Sequence, residues 1–111
     1  MEKYNIELLP IANDDLHDIF DFILLDNPAA ATKMLEAIFT SIKHLENFPK
    51  AGVSLTQNSL KLYSFRMITI NPYVVFYRLI NDKVYIYRVL HGARNYTEIL
   101  ANNNQINNKE L

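Results

Sequence analysis

Read for the spacing of its apolar residues, the chain changes period twice. Leu16, Ile19, Phe20, Ile23 and Leu24 recur at three and four, and so do Ala31, Leu35, Ile38, Ile42 and Leu45. That spacing predicts two amphipathic helices. Asn13 is placed to cap the first, with Asp14 and Asp15 following where the helix dipole favours anions. Asp26-Asn27-Pro28 ends that helix and starts the next, Asn27 as cap and Pro28 at the first helical position. Two helices joined by so few residues fold back as an antiparallel hairpin. Phe22 and Leu25 lie off the first stripe and widen its apolar face beyond what one core contact requires.

Outside this hairpin the pattern is that of strands. Residues 4–9 alternate weakly and stop at Pro10, a short strand. Phe48-Pro49 closes the second helix, Gly52 marks the turn out of it, and residues 53–60 read as a loop. Three runs rich in β-branched and aromatic residues follow, 61–70, 73–80 and 83–91, separated by Asn71-Pro72 and Asn81-Asp82. Two tight turns between such runs predict an antiparallel meander. Gly92 ends the sheet, and residues 94–100 add a helical turn or a short edge strand. Residues 101–111 include five Asn and are expected to fray, a polar tail on a domain of residues 1–100. The predicted fold is an α+β two-layer sandwich. Its helical hairpin covers one sheet face, its first strand joins the sheet edge, and the strand of residues 84–91 lies in the middle.

Tight turns also suggest a register. Ile70 opposite Tyr73 sets Arg66 against Tyr77, and Ile80 opposite Lys83 sets Tyr77 against Ile86 and Val75 against Arg88. One face then shows Arg66, Tyr73, Tyr77 and Arg88, the other Phe65, Arg78, Tyr85, Tyr87 and His91. A single bulge would exchange these sets. Any register leaves Arg and Tyr clustered on the sheet. Such a surface suits RNA, phosphate or an acidic protein. The same residues also suit a core edge of Tyr with Arg stems lying over it.

Composition narrows the chemistry. At 111 residues, 50% hydrophobic and 21% charged, the chain is an ordinary globular domain. It has no apolar run of membrane-spanning length and no signal-like N-terminus, so a cytoplasmic protein is expected. With no Cys and no His pair at ligand spacing, neither disulfide nor metal is expected, and two glycines allow no phosphate loop. No cofactor is predicted. The net charge of −1 conceals an asymmetry, since residues 1–60 carry nine acids against four Lys and residues 61–111 seven bases against three acids. Either the halves form a dipole that steers an acidic partner to the second, or they neutralise each other across their interface. Arg88, His91 and Arg94 surround Gly92 at a strand end, a rigid support for binding or acid–base groups. His91 fits a proton-transfer role or a structural hydrogen bond, while His17 and His44 read as solvated helix residues.

Several pieces in order resemble the RelE/ParE superfamily of type II toxin–antitoxin toxins over residues 4–100. They are D-L-H-D-I-F-D-F-I, N-P-A-A-A, L-E-N-F-P-K-A-G, Arg66-Met67, Y-V-V-F-Y-R at residues 73–78, and V-Y-I-Y-R-V-L-H-G-A-R at 84–94. The resemblance implies a toxin neutralised by an antitoxin that wraps this fold, here on Phe22 and Leu25. ParE-like members inhibit DNA gyrase; RelE-like members are ribosome-dependent endonucleases that cut messenger RNA. Arg66 and Arg94 match the nucleases, but Val74 follows Tyr73, Ser64 replaces a frequent base, and the position near Leu100 is not Tyr. The resemblance thus implies a ParE-like inhibitor with Arg66, Arg78, Arg88 and Arg94 toward its target. A RelE-like nuclease using Arg66, Arg88, His91, Arg94 and Tyr96 is the alternative, and an antitoxin-binding module without toxicity is a third.

Overall fold

The computed structural model describes residues 3–56 and 64–107, with side chains through residue 102. Its strands are β1 (Asn5–Leu8), β2 (Val53–Ser54), β3 (Arg66–Ile70), β4 (Tyr73–Ile80) and β5 (Lys83–His91), in the sheet order β1-β5-β4-β3-β2. Helices α1 (Pro10–Leu24) and α2 (Pro28–His44) form the hairpin, and α3 (Tyr96–Asn107) follows the sheet. The pairing is antiparallel except where β1 lies parallel to β5. β1 therefore takes one edge, β5 lies next to it, and β4 occupies the centre.

The hairpin turn forms as its residues dictate: Asn27 Oδ1 accepts the Ala30 N–H at 3.1 Å, and Pro28 opens α2. The start of α1 differs from the sequence reading. The helix begins at Pro10, after an extended Leu9 at φ −69° and ψ 151°, and Asn13 is already inside it. Proline at the first helical position loses no hydrogen bond and fixes a helical φ, so the helix starts four residues before Asp14, the first helical position that an Asn13 cap implies. Asp15 thereby moves from the exposed first turn onto the inner face, beside Ala12, Leu16 and Ile19.

Two further elements depart from expectation. Val53–Ser54, expected within a loop, forms β2 against Met67 and Arg66. The strand expected from residue 61 runs from Arg66, preceded by Ser64 at a left-handed φ of 56° that breaks the extended path. Residues 57–63, the rest of that loop and the first part of that expected strand, lie outside the described residues. The segment 101–107, expected to fray, is helical, and 108–111 lie outside the described residues. Asparagine is a poor helix former, but Tyr96, Ile99 and Leu100 supply a buried anchor at three-and-four spacing.

The sheet thus has a core on each face. Ala12, Leu16, Ile19, Ile38, Ile42 and Leu45 of the hairpin pack on Tyr73, Val75, Tyr77, Val84, Ile86 and Val89. On the other face Leu100 is fully buried among Phe65, Phe76, Tyr87 and Leu90. Burial of Leu100 contributes about 2 kcal/mol, enough to hold a helix of otherwise weak propensity. The α+β architecture stands, with α3 added to the face expected to be bare.

Candidate functional site

The register decides which side chains meet. Arg66 pairs with Tyr77, Ile70 with Tyr73 and Tyr77 with Ile86, as the turns imply, but Arg88 pairs with Phe76 and Val75 with Val89. β5 carries one extra residue, Tyr87, opposite the Phe76/Tyr77 step. This bulge exchanges the faces beyond it. His91 joins Tyr73, edge to face at 5.8 Å, and leaves the set of Phe65 and Tyr87 to which an unbroken ladder assigns it.

Each arginine of the expected surface has a distinct setting. Past Ile86, β5 loses β1 on one side while keeping β4 on the other, and Asp15 of α1 closes the gap. Arg88 donates to its carboxylate through Nε at 2.7 Å and Nη2 at 2.8 Å, and the Val89 N–H donates at 3.0 Å. Both side chains are about nine-tenths buried, 12% and 10% exposed. Two parallel charge-assisted bonds are the strongest form of such a pair. The expected target-contacting cation Arg88 is therefore engaged in joining α1 to β5. The sequence reading sets Asp15 at the helix N-terminus as a dipole anion, although an acid on the core stripe with Ala12, Leu16 and Ile19 requires a partner.

Arg66 turns to the segment leaving α2. It donates to the carbonyls of Gly52 at 2.8 Å and Lys50 at 3.3 Å. The Tyr77 hydroxyl donates to the Pro49 carbonyl at 2.7 Å and accepts the Gly52 N–H at 2.8 Å. Burial pushes the Tyr77 phenol above its ordinary pKa, while the Gly52 hydrogen bond and nearby Arg66 act the other way. Gly52 is required here, because a Cβ would lie 2.6 Å from the Tyr77 hydroxyl and 2.8 Å from the Met67 carbonyl oxygen.

Arg78 lies over Phe65 and Tyr87, 5.8 and 5.6 Å from their ring centroids, and donates to the Tyr87 hydroxyl at 3.1 Å. Burial raises the Tyr87 phenol and Arg78 opposes the rise. Tyr96 stacks on Phe76 at 5.1 Å and anchors α3. Of the expected set, His91 and Arg94 alone share an open setting with Phe22. These three, with Asp18, Ile19 and Tyr73, line a cleft of about 310 Å³ between α1 and the end of β5. His91 and Arg94 are exposed, and His91 Nδ1 accepts the Ala93 N–H at 3.1 Å. At the hairpin tip Phe22, Leu24 and Leu25 are 72%, 41% and 90% exposed. Among the described residues no group of three His, Cys, Asp or Glu is gathered to hold a metal, and no helix is long and apolar enough to cross a membrane.

A helical hairpin on this sheet is shared with solved toxin–antitoxin structures. A chain of the chromosomal ParDE system from P. aeruginosa superposes with a TM-score of 0.67 at 20% identity, over 80% of this chain and 96% of that one. A chain of the toxin–antitoxin complex RelBE2 from Mycobacterium tuberculosis does so with a TM-score of 0.54 at 22% identity, over 80% and 98%. The fold is that of the RelE/ParE toxins. Residues 6–96 match the model of the ParE toxin of the type II toxin–antitoxin system, parDE, and the chain belongs to that family. No match was found among curated proteins.

Proposed function

We propose that this ParE-type toxin arrests growth by binding an essential target, DNA gyrase by its family likeness, and that a cognate antitoxin neutralises it. The observation that carries this reading is how the candidate catalytic groups are engaged. In-line cleavage of RNA needs a base for the 2′-hydroxyl, cations on the phosphate and an acid for the leaving oxygen. Here Arg88 is tied to Asp15, Arg66 to two backbone carbonyls and Tyr96 is stacked on Phe76, while His91 Nδ1 accepts from its own turn. What remains open is Arg94, with the exposed His91, beside a cleft bordered by Phe22, Ile19 and Tyr73, an arrangement for contact. The exposed Phe22 and Leu25 suit the antitoxin, which would cover apolar surface too large to leave in water.

The test is to induce the protein alone and to assay it purified. Growth arrest with a raised DNA-damage response, inhibited supercoiling by gyrase and intact messenger RNA on translating ribosomes is the expected result. His91→Gln stays toxic, whereas Arg94→Ala loses much of its toxicity. Codon-phased cuts on ribosomes, abolished by His91→Gln, would overturn the proposal and establish a RelE-like nuclease.

A further inference from the structure

The end of α2 carries a surface separate from the β5 cleft. His44 and Phe48 stack with centroids 4.7 Å apart and rings 23° from parallel, and Phe48 remains 51% exposed. With Pro49, Lys50 and Ala51 this pair borders an open hollow of about 450 Å³. A second hollow of about 290 Å³ shares His44 and Ala51 and extends to Ile68 on β3. His44 therefore borders both concavities and Phe48 the first, and both residues are exposed.

The support beneath it is rigid. Tyr77 and Arg66 between them engage the carbonyls of Pro49, Lys50 and Gly52, so this segment turns its backbone inward and leaves the Phe48 ring and the Lys50 side chain outward. The last carbonyls of α2 are engaged as well: those of Ile42, Lys43 and His44 accept from Leu45, Glu46 and Asn47. This matters because bare carbonyls at a helix C-terminus repel anions. Lys43, next to His44 on the helix, and Lys50, which lines the same hollow as Phe48, are both exposed, and Arg66 reaches the Lys50 carbonyl. Glu46 is the one acid in residues 43–52, against four aspartates and no Lys or Arg in α1.

We infer that this corner binds single-stranded nucleic acid, a base stacking on the Phe48–His44 pair while Lys43 and Lys50 hold the flanking phosphates. Flat π-faces between cations are what such strands require, and they need no sequence-specific hydrogen bonds. An acidic protein segment would use the lysines but has no need of an exposed ring pair.

Fluorescence anisotropy with a short labelled oligodeoxynucleotide, and with its RNA counterpart, tests the inference on the full chain and separates the two sources. Binding to at least one, weakening with salt, is expected. Phe48→Ala should weaken it about tenfold or more, the loss of one stacked base, and Phe48→Trp should retain it. Lys43→Gln with Lys50→Gln should weaken binding and flatten its salt dependence, whereas Lys33→Gln, on the same helix away from the stack, should not. Because Phe48 is half exposed, Phe48→Ala should keep the wild-type circular dichroism; if it does not, the lysine pair decides alone. The inference fails if neither probe binds at low salt, or if the Phe48 and lysine variants stay within twofold of wild type. It fails equally if polyglutamate displaces the probe as well as unlabelled oligonucleotide does.

Discussion

Replacing Arg88 with Met should unfold the protein at far milder conditions, and the reason lies with Asp15. The substitution removes the bonds at 2.7 and 2.8 Å and leaves, of the three described, only that from the Val89 N–H at 3.0 Å. A carboxylate only 10% exposed is then left without the cation that compensated its lost hydration. Breaking such a pair costs about 3–5 kcal/mol, and the residual exposure places the loss at the lower end, about 3 kcal/mol. For a domain of this size that is a fall in Tm of roughly 12 °C, at about 4 °C per kcal/mol. Urea denaturation of wild type, Arg88→Met, Asp15→Asn and the double variant closes a thermodynamic cycle. The coupling should exceed about 2 kcal/mol, because each partner's worth depends on the other. Toxicity should fall in Arg88→Met together with stability, whereas Arg94→Ala should lose toxicity with an unchanged midpoint. An Arg88→Met protein within about 0.5 kcal/mol of wild type would refute the reasoning and return Arg88 to the target-binding surface.

Gly52→Ala should destabilise by about 1–3 kcal/mol in the same denaturation assay, since its Cβ meets the Tyr77 hydroxyl and the Met67 carbonyl oxygen at distances that require the turn to shift. Because burial raises the phenols of Tyr77 and Tyr87, the folded state holds those protons more tightly than the unfolded chain. Their contribution is whole below pH about 10, the unfolded tyrosine value, and is lost as pH rises through the folded values. A pH series of unfolding midpoints should show that decline above pH about 10, and Tyr87→Phe should shrink it. Phe22→Ser with Leu25→Ser should weaken antitoxin binding, read by calorimetry, while the unfolding midpoint stays put, because both side chains already stand in water. Leu100→Ala should cost about 2–5 kcal/mol and abolish the helical signal of α3 first, read by hydrogen exchange.

What could be read from the residues divides by distance along the chain. Asn27-Pro28 dictates its own cap, and the turns at 71–72 and 81–82 fix the pairs nearest them, Ile70 with Tyr73 and Ile80 with Lys83. The bulge at Tyr87 has no such local mark: β-branched and aromatic residues flank it on both sides, and it reverses the placement of His91. Arg88 was visible as a cation in an apolar strand, but its partner lies 73 residues away on a helix. The stripe of Ala12, Asp15, Leu16 and Ile19 held the clue, obscured by reading Asn13 as the cap. Of α3 the residues offer only one turn or a short edge strand over 94–100, because its anchor, Tyr96, Ile99 and Leu100, spans little more than one turn before the Asn-rich stretch begins.

The parallel pairing of β1 with β5 also has a consequence for how the protein is born. The Asn5 N–H donates to the Asp82 carbonyl and the Leu9 N–H to the Ile86 carbonyl, so the first strand finds its partners on the last one translated. A nascent chain emerging from the ribosome presents the helical hairpin first, with its apolar stripe uncovered and no sheet to receive it. Asp15 waits likewise for Arg88. Closing contacts so distant along the chain is slow, and products that stop before residue 83 lack β5, the strand between β1 and β4. Interrupted synthesis should therefore yield fragments that proteases clear, and only a chain translated through β5 becomes the folded toxin.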